Sequence, residues 1–354
     1  MREGGKHNGV TAGDMGGARA GIGESRCLAV RSVRGQGLAG LAIAIAAYSV
    51  PMEFRPFSVT LNRRFRGLTE RTGVLIRDTG PDGADAWGEF SPFADYIPEQ
   101  RNRWWAAAVE AATGQLPAPI RDFVESAAII PEMGPDDAAA LVREFGCRTA
   151  KVKVGGPRWA DPDPAATLRA DIERVEAVAA ALGTGGRLRV DANGTWTLAA
   201  AGSAVKALET AARAGGLEGL EYVEQPCATI GELAALRRLV EVPIAADESI
   251  RLTGDVDAVL RAEAADILVL KPSPMGGARA CVAIAERAGL PVIISSAMES
   301  SVGLASALAA ALALPDSRFA HGLGTGTLLA TDTVDDTLVP VRGRLTPRTL
   351  RVTA

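Results

Sequence analysis

From about residue 124 onward, short apolar runs alternate with longer stretches rich in Ala and Leu. The runs that predict strands are 125–131, 150–155, 188–193, 220–225, 243–248, 266–271, 291–296 and 319–323. The stretches that predict helices are 135–145, 164–182, 198–214, 230–240, 276–288 and 301–313. Eight strands alternating with helices favour an α/β fold with a parallel sheet closed into a modified (β/α)8 TIM-like barrel. An open doubly wound sheet is the alternative, but the sequence has neither a G-x-G-x-x-G after its first strand nor a P-loop.

The part of the chain before the barrel has a different pattern and predicts a small α+β unit. Residues 72–78 and 86–90 are predicted strands joined by a turn rich in Gly, Pro and Asp, and residues 98–113 are a predicted helix. We therefore assign 46–120 to the α+β unit and 121–330 to the barrel. Residues 331–354 contain no strand–helix unit and are expected to return towards the α+β unit.

Residues 1–45 are expected to form a disordered tail, since the first 36 are rich in Gly and Arg and show no hydrophobic periodicity. The apolar run at 37–50 is about 14 residues long, which is too short to span a bilayer. A first β-strand is the preferred interpretation of this run. A signal peptide is the alternative, because arginines precede it.

Composition excludes several classes of function. The net charge is −4, from 38 Lys and Arg against 42 Asp and Glu, so no basic excess indicates a nucleic-acid or membrane partner. Two histidines argue against a His-rich zinc site and a His-based triad. The four cysteines are far apart and form no C-x-x-C pair, which indicates reduced thiols in a cytoplasmic protein.

Charged residues stand at the ends of five predicted strands, each followed within a few residues by Gly, Pro or Ser. The segments are KVKVG (151–155), RVDANG (189–194), YVEQP (222–226), ADES (246–249) and LKPSP (270–274). In a barrel the carboxyl ends of all strands lie on one face, where the active site is built. Because side chains alternate along a strand, Lys151 and Lys153 are expected to face the same way.

Three of these strand ends carry carboxylates, which are Asp191, Glu224 and Asp247. Three carboxylates that share a dry site repel one another unless a cation is present. A donor set of oxygens without His or Cys suits a hard cation, so we expect Mg²⁺, with Mn²⁺ as the second choice.

Two lysine-bearing strands flank the three acidic strands in the order of the chain. A carboxylate substrate held by the metal becomes a stronger carbon acid, and Lys153 is placed to remove its α-proton. Lys271, on the opposite side of the mouth, can donate a proton, accept one or stabilise charge. We expect the neighbouring Lys151, the metal and partial burial to lower the pKa of Lys153.

The motifs KVKVG, DANGTW, EQP, ADES and KPSPMGG together resemble those of the muconate-lactonizing branch of the enolase superfamily. The segments GEFSPF (88–93) and HGLGTGTLLATD (321–332) narrow the resemblance to the o-succinylbenzoate synthases. It extends over roughly residues 46–340 and is specific only in the combination of motifs.

The resemblance implies an N-terminal α+β capping domain, a modified barrel and one Mg²⁺. It implies syn-dehydration of 2-succinyl-6-hydroxy-2,4-cyclohexadiene-1-carboxylate to o-succinylbenzoate in menaquinone biosynthesis, with this small carboxylate as the partner. Carried over by motif, Asp191, Glu224 and Asp247 are the metal ligands. Lys153 is the base and then the acid, Lys271 stabilises the enediolate, and Lys151 supports Lys153 and the substrate carboxylate.

Several further residues have both a functional and a local interpretation. Asn193 is expected to orient a ligand or to hydrogen-bond within its own turn. Ser295 and Gly324 are candidate substrate contacts, with packing and a tight turn as the alternatives. Arg66 can pair with a substrate carboxylate from a lid loop expected at 54–67 between the first two cap strands.

Two more polar residues are expected to act outside the chemistry. Glu248 is expected to point away from Asp247 as a supporting or surface side chain. His321, in the eighth predicted strand, is expected to be structural.

Other reactions on the same scaffold stay open, namely N-acylamino acid racemisation, dipeptide epimerisation and muconate cycloisomerisation. The region after the last predicted strand has no acidic residue before Asp332, which disfavours a substrate with an ammonium group. A binding barrel without catalysis is the remaining alternative, but such a protein has no need for both lysines and all three acids. The oligomeric state is not predicted.

Overall fold

The computed structural model describes residues 52–65, 67–156, 163–316 and 318–353. The predictions made for the tail at 1–45, for the apolar run at 37–50 and for Arg66 lie outside these residues. Within them, no helix is long and apolar enough to cross a membrane. The three cysteines described, Cys147, Cys227 and Cys281, are buried and free, as expected for reduced thiols.

The N-terminal part is an antiparallel sheet covered by one helix. Its strands are β1 (Glu53–Phe65), β2 (Leu68–Thr79) and β3 (Asp85–Phe90), in the order β1-β2-β3, and its helix is α1 (Pro98–Ala112). The prediction of a loop at 54–67 is wrong, because most of this segment is strand β1. It pairs with β2 from Glu53, opposite Arg77, to Thr60, opposite Glu70. The segment forms a strand because the apolar Phe57 and Val59 alternate with polar residues, and in the structure these two side chains are buried while their neighbours are exposed.

The barrel contains seven parallel strands in the described part of the chain, in the order β11-β10-β9-β8-β7-β6-β5. They are β5 (Ala128–Ile130), β6 (Thr149–Lys153), β7 (Arg187–Asp191), β8 (Leu220–Glu224), β9 (Ile244–Ala246), β10 (Ile267–Leu270) and β11 (Val292–Ile294). A short antiparallel pair, β4 (Val124–Glu125) with β12 (Arg344–Leu345), lies outside this sheet.

The eighth predicted strand, 319–323, is reduced to two single parallel bridges. His321 pairs with Ser126 just before β5, and Gly322 pairs with Ser295 just after β11. The His321 carbonyl accepts from the Ala127 N–H at 2.9 Å, and the Gly322 N–H donates to the Ile294 carbonyl at 2.8 Å. The segment therefore bonds to both edges of the seven-stranded sheet and closes the barrel.

Helices fill the connections between the barrel strands. They are α2 (Pro135–Phe145), α3 (Pro164–Leu182), α4 (Leu198–Ala214), α5 (Ile230–Arg237), α6 (Glu248–Arg251), α7 (Val256–Arg261), α8 (Pro272–Met275), α9 (Ala278–Ala288) and α10 (Ser301–Ala313). Capping explains several ends: the Asp163 side chain accepts from the Ala165 N–H, and Gly146 ends α2 with a φ of 59°. The short helices α6, α7 and α8 were not expected from the sequence.

A continuous apolar core fills the space between the barrel strands and the surrounding helices. A second cluster joins Phe57 and Val59 of β1 to Val302 of α10 and Val334 of the C-terminal segment. The N-terminal sheet therefore packs directly on the barrel and on the chain that follows it.

Candidate active site

The carboxyl ends of five neighbouring strands bring the predicted residues to one edge of the sheet. Lys153, Asp191 and Glu224 are the last residues of β6, β7 and β8. In the strand register Lys153 lies opposite Asp191, and Asp191 lies opposite Glu224. Asp247 and Lys271 each directly follow a strand, β9 and β10, and begin the next short helix as its N-cap residue.

The three carboxylates are almost completely withdrawn from solvent. Asp191 is 7% exposed, Glu224 is 1% exposed and Asp247 is 0% exposed. A buried carboxylate without a partner is strongly destabilising, so positive charge must lie close to each of them.

Lys151 supplies this charge to two of the acids. Its Nζ lies 3.0 Å from Asp191 Oδ2 and 2.8 Å from Glu224 Oε1. Burial alone would lower the pKa of Lys151, but the Asp191 and Glu224 carboxylates outweigh it and raise that pKa well above its ordinary value. Lys151 is therefore a permanent cation between two carboxylates, and it cannot serve as a base.

The third acid is held by two other cations. Lys271 Nζ donates to Asp247 Oδ2 at 2.5 Å, and Arg251 Nε donates to Asp247 Oδ1 at 3.0 Å. Arg251 also donates to Glu248 Oε1 and, from Nη1, to the Tyr96 hydroxyl at 2.6 Å. Tyr96 belongs to the segment between β3 and α1, so this arginine connects the N-terminal part to the acid at the end of β9.

The charge balance differs among the carboxylates. Burial would raise the pKa of Asp191, but the ammonium groups of Lys151 and Lys153 outweigh it and hold that pKa below its usual range. Burial raises the pKa of Glu224 to about 7, with a further contribution from repulsion by Asp191 and Asp247. Glu224 is thus the acid whose negative charge is least compensated by the protein.

A divalent cation fits this donor set. The three acids offer only oxygen ligands, which is what a hard cation prefers, and their charge is incompletely balanced at Glu224. Glu248 Oε2, next to Asp247, is buried and accepts no hydrogen bond from the described residues. Among the described residues, no group of three or more Asp, Glu, His or Cys side chains is arranged to hold a metal ion. Oxygens of the three carboxylates are instead hydrogen-bonded to the ammonium groups of Lys151 and Lys271.

Lys153 differs from the other two lysines at this edge. Lys151 and Lys271 each donate to carboxylates, whereas Lys153 Nζ makes no hydrogen bond to any residue in the described ranges. Its charge acts on Asp191 and on Glu132, which follows β5. Of the three, Lys153 therefore has the ammonium group that is available for proton transfer.

Asn193 and Glu248 support the acids rather than face away from them. Asn193 has a φ of 47°, and its N–H donates to Asp191 Oδ1 at 3.0 Å. Its side-chain amide donates to Glu248 Oε1 at 3.0 Å. Both functions predicted for Asn193 are therefore compatible, and Glu248 is a buried partner instead of a surface residue.

The other predicted contacts are explained by packing in the described structure. Ser295 Oγ donates to the Gly322 carbonyl at 3.3 Å. Gly324 begins the 3-10 helix Gly324–Leu328, where an added Cβ would lie 2.8 Å from the Ala127 carbonyl oxygen. His321 Nδ1 accepts from the Ile294 N–H, and burial lowers the pKa of this imidazole to about 3, which fits a structural residue. Substrate binding by Ser295, Gly324 and Arg66 stays a prediction.

Sequence reasoning missed Arg251 and Tyr96. Arg251 stands four residues after Asp247, a spacing that places both on one face of a helix, and this was the available signal. Tyr96 gave no comparable signal, because its contact with Arg251 spans 155 residues of chain.

Two family models match the chain. The model described as enolase C-terminal domain-like matches residues 135–350, and the model described as enolase N-terminal domain-like matches residues 56–112. The matched ranges correspond to the barrel with the C-terminal segment, and to the N-terminal sheet with α1.

Curated relatives are similar over most of their length. An o-succinylbenzoate synthase from Thermobifida fusca is 50% identical over 301 residues, which are 85% of this chain and 89% of the relative. The o-succinylbenzoate synthase from Mycobacterium ulcerans is 47% identical over 80% of this chain and 81% of its own length. The one from Mycobacterium tuberculosis strain H37Ra is 46% identical over 82% of this chain and 84% of its own length.

Solved structures share the fold at lower identity. A substrate-liganded L-Ala-D/L-Glu epimerase from Bacillus subtilis has a TM-score of 0.71 at 23% identity, over 86% of this chain and 97% of that one. A muconate lactonizing enzyme from Pseudomonas fluorescens has a TM-score of 0.71 at 22% identity, over 86% and 96%. A dipeptide epimerase from Enterococcus faecalis, complexed with Mg and a dipeptide, has a TM-score of 0.69 at 21% identity, over 85% and 97%. These neighbours show the fold of the chain.

Proposed function

Because the chain belongs to the enolase superfamily and, within it, to the o-succinylbenzoate synthase family, we propose that it dehydrates 2-succinyl-6-hydroxy-2,4-cyclohexadiene-1-carboxylate to o-succinylbenzoate with Mg²⁺. The product, o-succinylbenzoate, is an intermediate of menaquinone biosynthesis. The observation that carries the proposal is Lys153, whose Nζ makes no hydrogen bond to the described residues. The strands that end in the three buried carboxylates lie between its strand and that of Lys271.

The metal site in this proposal consists of Asp191, Glu224 and Asp247. When bound, Mg²⁺ supplies positive charge that makes the α-carbon of a coordinated carboxylate more acidic. Mg²⁺ is preferred because the three ligands are hard oxygen donors, and a substrate carboxylate supplies further oxygens. Lys151 stays protonated between two of the ligands and keeps them at a fixed separation.

Lys153 carries the proton in both halves of the elimination. The neutral amine takes the α-proton as the C–H bond breaks, and the ammonium group then gives the same proton to the departing hydroxyl as the C–O bond breaks. The new double bond completes an aromatic ring, water leaves, and Lys153 returns to the neutral amine. A single lysine on one face is sufficient, since a syn elimination removes both groups from the same side.

Lys271 acts as a fixed positive charge across the site. Its Nζ donates to Asp247 Oδ2 at 2.5 Å, so a buried carboxylate holds this nitrogen in place. A racemase needs the lysines on both faces to exchange protons with the substrate, so this contact favours dehydration over racemisation as the main activity.

The test is a direct assay with the freshly prepared cyclohexadiene carboxylate. We expect rapid formation of the aromatic product with Mg²⁺ and its loss with excess chelator. Lys153→Ala should abolish turnover and leave Mg²⁺ binding and the melting temperature unchanged. Substantial turnover by a folded Lys153→Ala variant would refute the role of Lys153. Absence of product from the wild type with Mg²⁺ bound would refute the dehydratase, and α-proton exchange of N-acylamino acids in heavy water would then test the racemase.

A further inference from the structure

A buried ion pair on α3 holds the main chain at the end of β6. Asp171 and Arg174 are 2% and 5% exposed, and Arg174 Nη1 lies 2.8 Å from Asp171 Oδ1. We propose that Asp171 and Arg174 are positioning residues that fix Lys153 for proton transfer. The inference rests on the proposed function, in which Lys153 is the base.

Arg174 replaces a missing strand contact at Lys153. The last ladder pair between β5 and β6 is Ile130 with Val152, so Lys153 lies one residue beyond the part of β6 that β5 holds. Arg174 Nη1 donates to the Lys153 carbonyl at 2.8 Å, and Nε donates to the Met133 carbonyl at 2.8 Å. One guanidinium therefore connects the end of β6 to the chain that leaves β5, which its rigid fork of donors permits.

Asp171 fixes the next part of the same segment. Its Oδ2 accepts from the Gly155 N–H at 2.8 Å, while the intervening Val154 N–H donates to the Asp191 carbonyl at 3.0 Å. Gly155 has a φ of 84°, and an added Cβ would lie 2.2 Å from Thr195 Oγ1, so this turn requires glycine. Lys153, Val154 and Gly155 are thus each held by a separate hydrogen bond.

This support matters because the Lys153 side chain has little support of its own. Its ammonium group makes no hydrogen bond to the described residues, so the position of the main chain determines where Nζ can reach. A displacement of about 1 Å at a reacting group can cost on the order of 100-fold in rate. Arg174 bonds to none of the three carboxylates in the described structure, so its removal should affect the base and spare the metal.

A second Arg–Asp pair, whose side chains are about one third exposed, also holds a strand main chain and provides a control. Arg237 Nε donates to Asp266 Oδ1 at 2.7 Å, and Asp266 Oδ2 accepts from the Ile244 N–H at 2.9 Å. Ile244 is the first residue of β9, so this pair lies at the amino end of a strand, on the opposite face of the barrel from Lys153.

The experiment compares Arg174→Gln with Arg237→Gln in the full chain. Four quantities are measured: kcat, KM, Mg²⁺ affinity by calorimetry, and melting temperature. We expect Arg174→Gln to lower kcat by about 100-fold, with KM and Mg²⁺ affinity within about threefold of the wild type. Arg237→Gln should keep kcat within about twofold. The inference is overturned if Arg174→Gln keeps wild-type kcat, or if its Mg²⁺ affinity falls as far as its kcat.

A conservative variant covers the case in which Arg174→Gln does not fold. Arg174→Lys keeps the charge beside Asp171 but cannot donate to both carbonyls, and we expect kcat to fall by about 10-fold. Wild-type kcat in folded Arg174→Lys would overturn the inference.

A measurement without substrate separates this inference from the proposed function. Acetic anhydride labels lysines in proportion to their free and accessible amine, and mass spectrometry reports each site. We expect Arg174→Gln to change the labelling rate of Lys153 several-fold and to leave that of the exposed Lys206 unchanged. If the wild type makes no aromatic product, the proposed function is refuted. The positioning role is tested separately by the labelling, and an unchanged labelling rate of Lys153 in Arg174→Gln would overturn it.

Discussion

Replacement of Lys151 by Met tests whether this ammonium group holds the buried acids together. Lys151 Nζ bonds to Asp191 at 3.0 Å and to Glu224 at 2.8 Å, and the two carboxylate side chains are 10% and 1% exposed. Met has a similar length without the charge, so the change removes the cation and leaves little empty space.

The size of the effect follows from this burial. Removal of one partner from a buried ion pair costs about 3–5 kcal/mol, because the remaining charge has lost its compensation. The Lys151 side chain is itself 15% exposed, and water can partly replace it, which places the expected loss near the lower value. Protonation of Glu224, whose pKa is already raised to about 7, reduces the loss further in neutral or acidic buffer.

The assay is urea unfolding at a pH above 7, with chelator and with Mg²⁺. We expect Lys151→Met to lower the unfolding free energy by about 3 kcal/mol in chelator. Mg²⁺ should restore more stability to the variant than it adds to the wild type, because it binds the folded state through the same carboxylates. Lys206→Met, at an exposed site on α4, should change stability by no more than about 0.5 kcal/mol. A loss under about 1 kcal/mol for Lys151→Met in chelator would refute the reasoning.

Two further predictions concern buried carboxylates. Burial raises the pKa of Glu224 from 4.5 to about 7. Between about pH 4.5 and 7 the folded state therefore binds more protons than the unfolded state, so the metal-free wild type should lose stability relative to Glu224→Gln as pH rises through this range. Above about pH 7 the difference in unfolding free energy between the two proteins should be constant. Urea titrations across this range measure it, and a constant difference throughout would contradict the charge assignment. Glu89 accepts from the Ser300 and Gly303 N–H groups at the start of α10, so Glu89→Gln should cost about 1–3 kcal/mol in thermal unfolding, whereas the exposed Glu70→Gln should not.

The helices and strands were predictable where local chemistry determines them. The bounds expected for α2, α3, α4 and α10 agree with the structure, because Pro at the first turn, or a Thr or Ser cap, marks where they begin. The bounds of α5 were less accurate, since the sequence through Val240 continues the apolar pattern after the helix has ended at Arg237. The first cap strand was mistaken for a loop because a lid loop was carried over from the resemblance, although Phe57 and Val59 alternate with polar residues.

The ends of the barrel strands were predictable for a different reason. In a (β/α)8 barrel the chain order of the strands is also their spatial order, so residues at successive strand ends lie close together. This geometry located Lys153, Asp191 and Glu224 without knowledge of any side-chain contact. The eighth strand was located correctly in the chain, but its pairing is confined to single bridges that a hydrophobic pattern cannot distinguish from a ladder.

The buried charges outside these strand ends were not predictable, and α3 shows why. Asp171 and Arg174 stand three residues apart on a helix, a spacing typical of a solvated ion pair worth a few tenths of a kcal/mol. The structure buries both, since main-chain groups beyond the paired part of β6 need partners and the side chains of α3 reach them. That need depends on where β5 stops, at Ile130, and α3 itself carries no sign of it. The same sequence pattern would therefore be an exposed ion pair if β5 were longer, and only the three-dimensional structure distinguishes the two cases.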